Sequence, residues 1–211
     1  MSLDKAIQTI NQFQGESLTS HLASIEKQIQ GFNLPSCESL CIEHNIDDDF
    51  INSALDIKKL AGQINVIIHS AGILKSLPNI LSDNEVVEYV SLGAGNTGRK
   101  FDLETNLRVA EYKFIDWKGG AESIRQNGIF KDFYELAEYP TTKEKILYVV
   151  GTLHPLKFFN GGRALTSVLS RQPKILQSIQ DKYGDIKEVQ DYYQIHKSTV
   201  QIIDVSPFIG R

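Results

Sequence analysis

Asp102, Glu111 and Lys113 are the residues of this chain whose types and spacing could act on a phosphate. Glu111 and Lys113 lie in Arg108 to Ile115, where β-branched and aromatic residues cluster as they do in a strand. Strand side chains alternate between faces, so Val109, Glu111, Lys113 and Ile115 share one face and Ala110, Tyr112 and Phe114 the other. Phe101 to Glu104 reads as a shorter strand, with Thr105-Asn106-Leu107 as the turn between them. A turn centred between Asn106 and Leu107 places Asp102 opposite Glu111, with Cβ atoms roughly 4.5–5.5 Å apart. Two carboxylates at that distance repel unless a cation lies between them. Lys113 follows about 7 Å along the same face. Oxygen ligands of this kind suit Mg²⁺, or Mn²⁺ in its place, better than zinc. A metal so held polarises a phosphoryl group and acidifies a bound water, and a neighbouring lysine can orient that water. The chemistry would be phosphodiester hydrolysis. A one-residue slip would turn Asp102 away, and a surface hairpin with ordinary cross-strand charge pairs uses the same residue types.

Gly-Arg-Lys-Phe-Asp-Leu-Glu-Thr, followed by Val-Ala-Glu-Tyr-Lys-Phe-Ile, resembles the core motif of the PD-(D/E)xK nuclease superfamily, the restriction-endonuclease-like fold. The resemblance implies that Asp102 and Glu111 bind the catalytic metal on adjacent strands and that Lys113 positions or activates water. It also implies a 5′-phosphate product. Its specific residues occupy 98–115, and the order of elements extends it over about 51–152. Phe101 stands where the motif often carries proline. The acidic residue that many members carry on the preceding helix has no counterpart, because residues 57–75 contain no Asp or Glu. Glu85 or Glu88 is the available substitute, which leaves the number of metals open.

The elements that must position this trio are read from periodicity. Residues 2–14 and 16–31 have helical spacing on either side of Gly15, and 31–46, with Pro35, Cys37 and Cys41, reads as a looser stretch. Residues 47–75 read as helix, with a break near Gly62 and an end at Pro78. From residue 85 the period changes. Val86 to Leu92 is a strand, the hairpin follows, Gly119-Gly120 opens a helix over 121–138, and Lys145 to Thr152 is a strand apolar enough for a sheet centre. Helices over 162–183 and 184–195 and a strand from Thr199 to Val205 complete the chain. The expected fold is α/β: a restriction-endonuclease-like core, a mixed central sheet flanked by helices, over 51–211, with an all-helical N-terminal segment over 1–50. That segment would cap the core, form a homodimer interface or grip the substrate.

A chain of 211 residues can bury a substantial core. No apolar run approaches the roughly 20 residues of a membrane span, and Met-Ser-Leu-Asp-Lys has no signal-peptide character, so a cytoplasmic protein without membrane contact is expected. A net charge of −4 argues against non-specific coating of DNA but permits a local basic patch. Cys37, Cys41 and His44 lack a fourth zinc ligand, and reduced structural thiols are the expectation. Asp47-Asp48-Asp49 suits the start of a helix.

Four further motifs bear on function. Arg125 and Gln126 lie early in the helix after the Glu-x-Lys strand, where the resemblance places polar residues near the metal. Arg125 would bind a phosphate oxygen, Gln126 would orient a water or a ligand, and Lys118 would add a phosphate contact. Gly93 to Gly98 matches G-x-G-x-x-G, the basis for a dinucleotide or S-adenosylmethionine site, but the ten residues before the next strand leave no room for the helix such a site needs. A turn beside the site is the preferred reading. Asn160-Gly161-Gly162-Arg163 is a plain strand-to-helix turn or an anion seat. Trp117 and Tyr112 read as core or rim aromatics. The expectation is a Mg²⁺-dependent nuclease acting on DNA, with an inactive nuclease-fold module for nucleic-acid binding or assembly as the alternative.

Overall fold

A computed structural model describes residues 2–93, 100–114, 117 and 123–210. The chain divides into two compact units, Met1–Asn65 and Val66–Arg211.

The first unit is helical. α1 (Leu3–Gln14) and α2 (Leu18–Gln28) start at Ser2 and Ser17, whose hydroxyls accept the backbone N–H of Lys5 and Ser20, both at 3.3 Å. Residues 34–43, expected to be loose, form α3 (Leu34–Glu43). Asn33 caps it by accepting the Ser36 N–H at 3.1 Å, and Pro35 falls in the first turn, where a missing N–H costs nothing. Cys37 and Cys41 are free thiols on that helix. α4 (Asp48–Ile80) begins at Asp47, which accepts the Phe50 N–H at 2.8 Å, and belongs to both units. It passes Gly62 without a break and includes Pro78 in its last turn, so the expected end at the proline falls short by two residues.

The second unit is α/β. Its sheet has the order β1 (Val87–Val90), β2 (Leu103–Thr105), β3 (Arg108–Lys113), β4 (Glu144–Val149) and β5 (Val200–Asp204). The first three strands are antiparallel, β4 pairs with β3 and β5 with β4 in parallel, and the sheet is therefore mixed. Parallel neighbours need crossovers. α5 (Ser123–Glu138) connects β3 to β4, and α6 (Leu153–Phe159), α7 (Leu165–Val168), α8 (Pro173–Tyr183) and α9 (Val189–His196) connect β4 to β5. The single helix expected over 162–183 is therefore two, separated where Pro173 starts a new one. A short α10 (Ser206–Ile209) follows β5.

Both faces of the sheet are covered. Val109, Leu147 and Val149 pack with Phe130, Phe133, Phe159 and Tyr192 on one side. Ala110, Tyr112, Ile146 and Tyr148 pack with Ile73 and Leu77 of α4 on the other. The hairpin turn is closed by Thr105, whose hydroxyl oxygen accepts the N–H of Leu107 at 3.0 Å and of Arg108 at 2.9 Å. Leu103 then pairs with Ala110 and Glu104 with Val109, the register of a turn centred between Asn106 and Leu107.

Candidate active site

The next step of that register faces Asp102 with Glu111 at the end of β3 from which the chain leaves for α5. In open α/β sheets this carboxyl end of the strands is where ligands bind. Asp102 is fixed twice. Its Oδ2 accepts the Tyr112 N–H at 3.0 Å, and its Oδ1 lies 3.4 Å from Nε2 of His69 on α4. Burial alone would raise the Asp102 pKa, but the His69 bond, the Tyr112 N–H and a bond from Glu111 outweigh it and hold the carboxylate below its usual range. Glu111 goes the opposite way. Burial, then the charges of Asp102 and Asp132, push it far above the usual carboxylate range, so it keeps its proton and donates it to Asp102. Two carboxyl groups in contact inside a buried site are costly without a cation.

Lys113 extends from the same strand face and pairs with Asp132 Oδ2 at 2.5 Å. Burial works to lower the Lys113 pKa, and Asp132 with the two other carboxyl groups overcomes it, so the ammonium stays charged. Asp132, on α5, is itself pushed up, chiefly by burial and against the pull of Lys113. The His69 imidazole is raised by its bond to Asp102, with burial opposing.

Arg125 shares a narrow cleft with Lys113, Trp117, Val149 and Pro155. Gln126 is buried, and its Oε1 has no hydrogen-bond partner among the described residues. Lys118 lies outside the described residues, as do residues 94–98 of the glycine motif; Gly93 itself has φ +82°. The substitutes considered for the missing helical acid are engaged elsewhere. Glu85 accepts from Arg108 and Thr105, and Glu88 accepts from Lys143 at 2.7 Å. The Gly162 turn is closed by the Glu188 carboxylate, 3.1 Å from where a Cβ would sit, which disfavours an anion there. Trp117 packs against Phe158, and Tyr112 stacks on Tyr148 at 4.7 Å, both within the core.

His69 and Asp132 are the site residues that the sequence reading missed. Each left a trace. His69 is four residues before buried Ile73 in a largely apolar segment, and Asp132 stands among Ile129, Phe133 and Leu136 on the buried side of α5. Among the described residues no three or more His, Cys, Asp and Glu side chains are arranged to ligate a metal by themselves. Mg²⁺ does not require that, since it commonly takes one or two carboxylates and completes its shell with water and phosphate oxygens. No described helix is long and apolar enough to cross a membrane. Comparison with protein-family models, curated proteins and solved structures returned no match.

Proposed function

We propose that this chain is a metal-dependent nuclease with a restriction-endonuclease-like core, hydrolysing phosphodiester bonds of DNA. The observation that carries the reading is the contact between the Asp102 and Glu111 carboxyl groups, kept in a buried site where only a shared proton or a cation makes them compatible. Asp102 and Glu111 would hold Mg²⁺, or Mn²⁺ in its place. When bound, the ion would polarise the phosphoryl group and supply an acidified water. The remaining steps belong to side chains of this chain. Lys113 is charged, so it orients water and stabilises negative charge growing on phosphorus and does not serve as a proton acceptor. Arg125, in the same cleft, binds a phosphate oxygen. His69 and the Tyr112 N–H fix the Asp102 carboxylate, and Asp132 fixes the Lys113 ammonium. The order of elements from α4 through the antiparallel hairpin, α5 and parallel β4 supports the same reading.

The test is cleavage of linear and circular DNA with Mg²⁺ or Mn²⁺. Asp102→Ala and Lys113→Ala should each lower the rate at least about 100-fold, the scale of losing one group that stabilises the transition state. Unchanged metal-dependent cleavage by Asp102→Ala would sink the assignment. A second reading, an inactive module of the same fold, is favoured by one observation: Asp132 already occupies the Lys113 ammonium. Titration calorimetry with Mn²⁺ separates the two, because only the nuclease reading requires a metal to bind and Asp102→Ala to abolish that binding.

A further inference from the structure

The helical unit holds a polar cavity of about 160 Å³ on which rings from four helices meet. Phe13 comes from α1, His21 from α2, His44 from the C-cap of α3 and Phe50 from the first turn of α4. Phe13 meets Phe50 at a centroid distance of 4.8 Å and His21 at 5.1 Å, and His21 meets His44 at 5.1 Å. The end of α3 brings His44 there. Asn45 takes φ +53° and the Ile46 N–H returns to the Cys41 carbonyl at 2.8 Å, so the chain turns beside the cavity with Asn45 also on its wall. The Nε2 atoms of His21 and His44 are buried, and neither has a hydrogen-bond partner among the described residues. A buried polar atom left unpaired is costly, and two of them on one cavity point to something bound in it.

Size and lining restrict what that is. A cavity of about 150 Å³ accommodates one benzene ring, so this one suits a single six-membered ring. Phe13 and Phe50 offer apolar faces, while Thr9, Gln12 and Asn45 supply a hydroxyl and two amides that donate and accept side by side. An apolar ring would leave those groups and both imidazole nitrogens unpaired. Glu43 lies on the same wall, and a carboxylate only accepts, which calls for an amino group opposite it. Charge narrows the class further. Residues 28–57 hold six Asp and Glu and no Lys or Arg, so a phosphate would be repelled.

We propose that this cavity binds a single-ring nitrogen heterocycle bearing an amino group, uncharged or cationic, of the kind that cytosine exemplifies. A carboxylate facing the cytosine amino group, and side-chain amides facing adjacent donor and acceptor atoms of a base, are ordinary base-edge pairings. The ligand is a free base or nucleoside, and a nucleotide or a DNA strand is disfavoured by its phosphates. Nothing in this site depends on the chemistry at Asp102 and Glu111.

The experiment is a titration of the full chain with cytosine, read by calorimetry and by the Cε1–H resonances of the histidines. Cytosine should bind with a Kd below about 1 mM and shift His21 and His44 while leaving His154 and His196 unmoved. Uracil, which lacks the amino group, and cytidine 5′-monophosphate should each bind at least about 10-fold more weakly. Glu43→Gln, at an exposed position, should weaken cytosine about 10-fold and remove most of its advantage over uracil. Asp102→Ala should bind cytosine as the unaltered chain does. Water alone in the cavity predicts no saturable binding and no shift of either imidazole, and that result overturns the proposal. So does a shift confined to His69, which would put the ligand at Asp102. Benzene binding as tightly as cytosine would reduce the site to an apolar hole, and equal binding of the monophosphate would refute the exclusion of phosphate.

Discussion

Glu111 shows how a single residue can be placed at a cost in stability. Buried beside Asp102 and Asp132, it holds its proton well above the pH at which a free carboxyl group loses it. Retaining that proton relieves repulsion in the absence of metal, but an isosteric neutral group would relieve it without paying for burial of an ionisable side chain. Glu111→Gln should therefore raise the stability of the metal-free chain by about 1 kcal/mol, seen as a rise of about 2–4 °C in Tm, while cleavage is lost. A fall in Tm would show that the carboxyl group is needed as a structural hydrogen-bond partner. This pair was legible in the sequence because it depends only on a local turn. Thr105-Asn106-Leu107 sets the register, and the register sets which carboxyl groups meet. His69 and Asp132 were not legible as partners. Periodicity marks each as a polar exception on a buried face, but which strand that face meets is decided by packing between elements far apart in sequence.

The same division holds for elements. Strong local signals carried through: the hairpin, the apolar β4 and the helices capped by Ser2 and Ser17. The errors lie where one residue type has two opposite uses. Pro35 reads as a residue that loosens its segment, yet proline also suits a first helical turn, and Asn33 provides the cap that makes it so. Glycine in α4 offers a quantitative test of these two uses. Gly72 lies where a Cβ would come within 2.4 Å of the Phe114 ring, so the close approach of helix and sheet requires it. Gly62 has nothing within 4 Å, and there glycine only weakens the helix. Gly72→Val should destabilise the chain by about 1–3 kcal/mol through overpacking. Gly62→Ala should stabilise it by about 0.5–1 kcal/mol. Chemical denaturation of both variants checks the pair of signs, and equal effects at the two positions would contradict the packing of α4 against β3.

At the scale of the whole molecule, two clusters with histidines of opposite tendency add terms of opposite sign to the response to pH. Glu138 of α5 accepts from Tyr183 at 2.6 Å and Tyr192 at 2.9 Å and pairs with Lys182, tying α5 to α8 and α9. His196 is buried beside it, and burial lowers its pKa despite the Glu138 charge. The unfolded chain, with an ordinary histidine near pH 6.5, therefore takes up a proton more readily than the folded one. Stability from this site falls as pH drops below about 6.5. Glu138 adds to the same trend at lower pH. Its pKa is lowered, since the bonds from Lys182 and the tyrosines outweigh burial, and its contribution is lost as pH falls below the unfolded carboxylate value. His69 has the opposite sign: its folded pKa is raised, so its contribution is full below about pH 6.5 and is lost as pH rises through the folded value. In the unaltered chain the two histidines partly cancel between pH 7 and 5.5. Removing one should expose the other as a change from the unaltered chain. In metal-free buffer Glu111, which keeps its proton in the folded chain, adds stability as pH falls in the unaltered chain and both variants alike. Relative to the unaltered chain, His69→Asn should therefore lose on the order of 1 kcal/mol of unfolding free energy over that interval, and His196→Asn should gain a similar amount. Urea denaturation of the two variants at pH 7 and 5.5 measures both slopes. Departures from the unaltered chain's slope in the same direction would mean that one of the two imidazoles is not held as described, and the variant whose slope matches the unaltered chain would identify which.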